Sequence, residues 1–305
     1  MKTIIKKILA LFKHKKQRSK NVALVLSGGG ARGYFHIGAI EALEARGYTI
    51  TSVAGTSMGA LIGGAYANGH LNELKQLFLS LNKKKILQLL DVSMGLDHIT
   101  NGERLMQTLD NVLGNAKIEQ LKVPFTCCAS DIVSGEERVF TSGSLKTAVR
   151  ASISIPGFFK PVNENGHIYV DGSVHNTLPL DRVVRNENDL LLAINVNGAD
   201  TCPYMAYLKN EEERKDKEGI FRNMVKHLPF YNVKFSANYM NMAVRISSMA
   251  IQANTQLALR LTPPEILVEL PMNLYSMFDF NKAAELIAYG KEEMARQLDA
   301  YEQEM

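Results

Sequence analysis

The chain has no apolar run approaching the ~18 residues that a bilayer-spanning helix requires, so the sequence predicts no integral membrane protein. It is also poor in cysteine. Cys127 and Cys128 are adjacent and Cys202 is remote, so the three cannot build a disulfide framework. An odd count without CxxC spacing fits a reducing compartment and leaves no thiolate zinc site. Acidic residues are absent from positions 1–20, which hold eight basic groups: Lys2, Lys6, Lys7, Lys13, Lys15, Lys16, Arg18 and Lys20. The net charge of +4 therefore belongs to the tail, and the remainder carries 27 basic against 31 acidic residues. A mildly acidic body with a basic tag is not a nucleic-acid-binding domain, whose basic groups would spread over a folded face. What remains is ordinary: 305 residues, 46% hydrophobic and 22% charged, enough to bury one sizeable core.

The tail opens with MKTIIKKILALF. On a helical wheel Ile4, Ile5, Ile8, Leu9, Leu11 and Phe12 fall within roughly 160°, with the lysines outside that arc. A basic amphipathic helix of this kind can lie in a bilayer interface, its lysines meeting anionic headgroups. A signal peptide fits poorly, because Lys6 and Lys7 interrupt the apolar stretch and no small-residue cleavage site follows. A helix that docks on the body is the plainer alternative. The expected division is a basic segment, 1–20, and one domain, 21–305.

In the body, short apolar runs alternate with helical segments. VALVLS (22–27), TSVAG (51–55), PFTCCAS (124–130), ERVF (137–140), HIYV (167–170) and LLLAINV (190–196) read as strands. Helices are expected over 34–46, 57–68, 220–260 and 281–299. The pattern predicts an α/β fold, a mostly parallel central sheet with helices on its faces. The charged run Lys209–Glu218 reads as a solvated face or loop, and the Phe221–Met249 stretch, rich in methionine and aromatics, as a candidate acyl channel, lid or plain helical core.

Two glycine motifs carry the chemistry. Gly28-Gly29-Gly30-Ala31-Arg32-Gly33 stands between a strand and a helix, where its N–H groups can converge on a negative charge. Gly28, Gly30 and Gly33 satisfy GxGxxG, but a dinucleotide site also needs an acid about 20 residues on, and none occurs between Glu44 and Glu73. A phosphate-binding P-loop needs Lys and Ser or Thr after the last glycine, where this chain has Tyr34 and Phe35. An oxyanion hole remains open, with the Arg32 charge nearby. Gly55-Thr56-Ser57-Met58-Gly59 decides among these readings, because GxSxG where a strand turns into a helix exposes a serine at the top of a sheet. A nucleophilic serine needs a base. His70, His98, His167, His175 and His227 are available, none in a loop that announces itself. Asp171, at the end of HIYV and before Gly172, is the better candidate; Asp131 is the rival acid.

SGGGARG (27–33), GTSMG (55–59) and DGS (171–173) together resemble the patatin-like phospholipase family, with ASDIVSGE (129–136), ASISIPGFFKPV (151–162) and, weakly, 278–292 extending the likeness. The third motif departs in ending on Ser173, a small residue. The resemblance implies a three-layer αβα domain that hydrolyses lipid acyl esters through a Ser57–Asp171 dyad and an acyl-enzyme. It also implies an oxyanion hole from Gly28, Gly29 and Gly30 with Arg32 close by. A free aspartate near pKa ~3.9 is a poor base for an alcohol, so this mechanism requires a partly desolvated carboxylate. No HExxH and no acidic calcium loop is present, so neither metal nor cofactor is expected. The expected partner is a lipid ester, with the enzyme cytoplasmic and held peripherally at the inner membrane surface by residues 1–20. The competing functions are an esterase with a histidine-containing triad and a non-catalytic lipid-binding scaffold.

Overall fold

The computed structural model describes residues 19–89, 100–199 and 237–303. The amphipathic tail, the charged run 209–218 and the first part of the Phe221–Met249 stretch lie outside the described residues.

The centre of the molecule is β1 (Asn21–Leu26), whose apolar run is buried on both faces. Val22, Leu24 and Leu26 face one core, Ala23 and Val25 the other. The period-2 geometry of a strand thus divides one continuous apolar run between two layers. β2 (Thr49–Thr56), β3 (Phe125–Asp131), β7 (Leu190–Gly198) and β8 (Ile266–Pro271) join β1 in parallel, in the order β3-β2-β1-β7-β8. β4 (Glu136–Phe140), β5 (Val162–Glu164) and β6 (His167–Asp171) add antiparallel pairings around β3. The sheet is mostly parallel, as the alternating pattern predicts. β8 is an element the pattern missed. It follows the pair Pro263-Pro264 and carries Glu269 within its run, and pairing with β7 supplies its order.

On one face lie α1 (Tyr34–Ala45), α2 (Met58–Ala67), α3 (Leu71–Leu79) and, beyond the short helices α4 (Lys83–Leu89), α5 (Glu103–Thr108) and α6 (Asp110–Leu113), helix α7 (Leu145–Ser152). Ser144 caps α7 by accepting from the Thr147 N–H at 3.2 Å. On the other face α8 (Ala237–Leu261) sets Ala258 and Leu259 against Ala23, Val25, Leu191 and Ala193. α9 (Ala283–Gln303) returns to the first face and packs on α1. The result is a three-layer α/β sandwich.

The arrangement of β2 and β6 positions the site. Cys127 and Cys128 of β3 pair with β2 on one edge and β4 on the other. Ala129, Ser130 and Asp131 pair with β4 on that same second edge and with β6 on the first. β6 therefore continues the edge that β2 leaves, running in the opposite direction. Thr56 stands opposite Cys128 and Asp171 opposite Ala129, so the two strands meet end to end.

α1 and α9 touch backbone to backbone. A Cβ on Gly38 would lie 1.8 Å from the Ile287 carbonyl oxygen, and one on Gly290 would lie 2.0 Å from that of Phe35. Gly38→Ala is expected to force the pair apart and cost about 3 kcal/mol, at the upper end of overpacking effects, read as a lowered urea midpoint.

Candidate active site

Ser57 sits at the junction of β2 and α2 with φ 55 and ψ −121, a conformation that costs a residue with a Cβ about 1–3 kcal/mol. Among the described residues only Asn165 is another non-glycine with positive φ. The surroundings hold the turn in place. The Ser57 N–H donates to Ser152 Oγ at 2.8 Å, and the Ser152 hydroxyl donates onward to the Cys128 carbonyl at 2.6 Å. α2 crosses so close to β1 that a Cβ on Gly59 would lie 2.3 Å from the Leu26 carbonyl oxygen. Glycine is what lets the helix start there. The first N–H groups of α2 have no intrahelical partner, so the serine lies at the positive end of that helix.

Ser57 Oγ donates to Asp171 Oδ2 at 2.5 Å, and both residues are buried. The other carboxylate oxygen accepts from the Ser173 N–H at 2.8 Å. The Asp171 N–H donates to the Ser154 carbonyl at 2.9 Å. One tripeptide at the end of α7, Ser152-Ile153-Ser154, thus grips the main chain of both residues. Burial pushes the Asp171 pKa up; hydrogen bonds from the Ser57 hydroxyl, the Ser173 N–H and the Ser173 hydroxyl pull against it, and burial prevails. The sequence reading missed Ser152 and Ser154 as holders of the site. They sit inside the ASISIPGFFKPV segment, where only tertiary contacts reveal which side chain reaches the serine turn.

The glycine loop lies against this pair: a Cβ on Gly28 would approach Ser57 Cβ to 3.2 Å. Its four expected contributors have different occupations. The Gly28 N–H is engaged by the Thr177 carbonyl at 3.0 Å, and that of Ala31 by Met277 at 2.9 Å. Among the described residues the N–H groups of Gly29 and Gly30 have no such partner. Arg32 is buried with Nε donating to the Val196 carbonyl at 3.0 Å and a terminal nitrogen to Asn197 Oδ1 at 2.8 Å. Its cation ties the loop to the end of β7. His36, also overlooked in the sequence, is buried and donates from Nε2 to the Ser27 carbonyl at 2.9 Å, bracing the entry to the loop. Burial lowers its pKa to about 4, so it stays neutral at pH 7.

The other candidates are occupied elsewhere. His167 begins β6, four residues or ~13 Å along the strand from Asp171, and pairs through Nδ1 with Asp131 at 2.6 Å. Burial raises the Asp131 pKa, but hydrogen bonds from His167, Ser134, Val133 and Ile168 outweigh it and hold the carboxyl well below the usual range. Asp131 therefore closes the β3–β4 turn. His175 Nε2 bonds the Gly135 carbonyl at 3.0 Å, and His70 lies beside Glu73. His98 and His227 fall outside the described residues.

Ser57 opens into an apolar cavity of about 90 Å³ that it shares with Gly30, Met58, Leu61, Phe78, Ile153, Phe158, Phe159 and Phe280. Phe158 and Phe159 come from the segment that grips the serine. The described part of α8 is not among the residues that wall it. A buried hydroxyl hydrogen-bonded to a buried carboxylate, beside free N–H donors and an apolar chamber, is equipped to transfer an acyl group.

A family model described as patatin-like phospholipase matches residues 24–184. An uncharacterized NTE family protein of Mycobacterium tuberculosis is 41% identical over 185 residues, 61% of this chain and 51% of that protein. Neuropathy target esterase sws of Drosophila melanogaster is 33% identical over 193 residues, 61% of this chain and 14% of that protein. Lysophospholipase NTE1 of Saccharomyces cerevisiae is 26% identical over 275 residues, 88% of this chain and 16% of that protein. The match spans about half the length of the mycobacterial relative and a smaller part of the others.

Two outcomes follow for stability. Ser152→Ala leaves the Ser57 N–H and the Cys128 carbonyl without their partner, which is expected to cost about 2 kcal/mol in urea unfolding. Asp171→Asn is expected to act in the opposite sense. A carboxyl whose folded pKa is raised stabilises the fold below its unfolded pKa, and that contribution is lost as pH rises through the folded value. An amide carries no charge at any pH, so the variant should melt above the wild type at pH 7, by roughly 2–4 °C for each kcal/mol relieved.

Proposed function

The chain belongs to the patatin-like phospholipase family, and from that premise we propose that it hydrolyses acyl esters of lipids, with Ser57 as nucleophile and Asp171 as general base. The observation that carries this reading is the 2.5 Å hydrogen bond from Ser57 Oγ to the buried Asp171 carboxylate at the wall of an apolar cavity. The lipid-esterase names of the relatives support the reaction class. The reading takes residues 21–305 as one hydrolase domain, since β8 and α9, beyond the matched family segment, complete its sheet and core.

The reaction proceeds in two halves. As Ser57 Oγ attacks the ester carbonyl, its proton passes to Asp171 Oδ2. The carbonyl oxygen becomes an oxyanion that takes hydrogen bonds from the Gly29 and Gly30 N–H groups, close to the N-terminus of α2. The tetrahedral adduct then expels the alcohol or lysolipid, which leaves with the proton from Asp171, and the acyl group stays on Ser57 in the apolar cavity. Water, deprotonated by the same carboxylate, attacks the acyl-enzyme; the fatty acid leaves and Ser57 regains its proton. Desolvation matters because it makes the carboxylate a stronger base than a solvated aspartate, which narrows the gap to the alcohol it must deprotonate. No step uses a metal or cofactor. Glycerophospholipids and lysophospholipids are the substrate classes that fit the lipid-esterase names of the relatives, with the cavity taking the carbons next to the ester.

The test is turnover of p-nitrophenyl esters of increasing acyl length. Ser57→Ala and Asp171→Asn are each expected to lose at least ~10³-fold in kcat while remaining folded. His167→Ala and His175→Ala should keep activity within a few-fold. An active Asp171→Asn would remove the base assignment, and a wild type silent on soluble esters and lipid vesicles alike would remove the hydrolase.

The pH profile has a definite sign. The active form carries ionised Asp171, so kcat/KM rises with pH and levels off above the raised pKa, at higher pH than an ordinary aspartate would give. Ser173→Ala removes a hydroxyl that favours the charged form and should move that limb to still higher pH.

A further inference from the structure

β7 runs apolar from Leu190 to Ile194 and then turns to Asn195-Val196-Asn197. All three residues are buried, and an amide side chain is costly to bury unless its hydrogen bonds are met. Those of Asn197 are met by the glycine loop. Its Nδ2 donates to the Gly28 carbonyl at 2.7 Å and, more distantly, to Ser27 Oγ at 3.5 Å, while its Oδ1 accepts from Arg32 at 2.8 Å. A carbonyl can only accept and a guanidinium can only donate. The side chain between them must offer one of each, and the amide can stand only one way round. Asn195 holds Asn197 in turn. Its Oδ1 accepts from the Asn197 N–H at 3.0 Å, and its Nδ2 donates across to Glu269 of β8 at 2.8 Å.

We propose that Asn197 is a positioning residue: it fixes which way the Gly28–Gly29 peptide faces and so aims the Gly29 N–H at the reacting oxygen. The inference rests on the hydrolase reading and adds to it the group that preorganises the oxyanion hole. A peptide unit is planar and trans, so its C=O and N–H point to opposite sides. Asn197 holds the C=O, which turns the N–H away from Asn197. The sheet order decides what lies there. β1 runs between β2 and β7; the glycine loop follows β1, Ser57 follows β2 and Asn197 stands at the end of β7. The loop is therefore flanked by Asn197 on one side and by Ser57 on the other. A Cβ on Gly28 would come within 3.2 Å of Ser57 Cβ, and one on Gly29 within 3.6 Å of Asn197 Oδ1. A donor turned away from β7 faces the serine. The lock is needed because the peptide joins two glycines. With no Cβ on either side it can turn over at little steric cost, and the reversed form presents a carbonyl oxygen to the developing negative charge. Arg32 completes the frame by holding the Asn197 amide the right way round.

Two variants of the full-length protein test this. Asn197→Asp keeps the size of the side chain and the acceptor for Arg32, but it replaces the donor with an acceptor that attracts the Gly29 N–H. Asn197→Leu removes donor and acceptor without adding a charge. Each is compared with wild type in turnover of p-nitrophenyl butyrate and in inhibition by propyl trifluoromethyl ketone. Ser57 Oγ adds to that ketone as its proton passes to Asp171, which leaves an oxyanion on the former carbonyl oxygen. Asn197→Asp is expected to lose about 10²-fold in kcat, as when one oxyanion donor is removed, and Asn197→Leu about tenfold, because its peptide is free to take either face. KM should stay within about threefold, and the Ki of the ketone should rise by about the factor that kcat/KM falls. Thermal melting identifies the folded variants. A folded variant of either kind with wild-type kcat overturns the proposal. So does a loss carried by KM with the Ki unchanged, and so does a chain that folds with neither substitution, which makes Asn197 a structural residue. A wild type that turns over no ester overturns the hydrolase reading and this role with it, a result distinct from an active wild type with equally active variants.

Discussion

The site depends on one edge of β3. A strand edge offers a single row of hydrogen-bonding groups, and here two strands share it: β2 takes the row as far as Cys128 and β6 begins at Ala129. Because one arrives parallel and the other antiparallel, their ends face each other across a single residue step. Ser57 follows the last residue of the first strand, and Asp171 is the last residue of the second. Their separation of 114 positions in sequence is thereby reduced to a hydrogen bond of 2.5 Å. No loop has to be ordered to make the contact.

Holding that contact requires accepting two unfavourable features. Ser57 takes a backbone conformation that residues with a Cβ avoid, and Asp171 loses its hydration. Both are offset locally. Ser152 and Ser154, two residues apart, bind the two main-chain N–H groups, and Ser152 anchors to the same β3 residue that pairs with Thr56. The strained turn sets the serine against the carboxylate and burial makes that carboxylate more basic, so the least comfortable part of the fold is the part suited to chemistry. The charge of Arg32 serves this frame as well, fixing the glycine loop to β7 so that the Gly29 and Gly30 N–H groups keep their place.

Much of this was legible before any coordinates. The six strands read from apolar runs are present with small shifts at their ends, because a parallel sheet buried on both faces needs continuous apolar runs. GTSMG announced a strand-to-helix turn, since few other residues tolerate the approach of α2 to Leu26. β8 was not legible, as its order comes from pairing with β7 and not from its own composition. The bonds of Arg32 to Val196 and Asn197 were not legible either, because proximity in sequence cannot say in which direction a long side chain points.

The sequence by itself determined the kind of molecule: an α/β sheet, a serine on a glycine-flanked turn, a glycine loop with donors to offer and an acid at a strand end. These are local properties, settled by backbone sterics and by which residues water rejects. The tertiary structure decided which acid meets the serine, which glycine N–H groups are free and what the arginine does. Each of those depends on pairings between segments more than a hundred residues apart, and on burial that shifts a carboxylate only after the chain has closed around it.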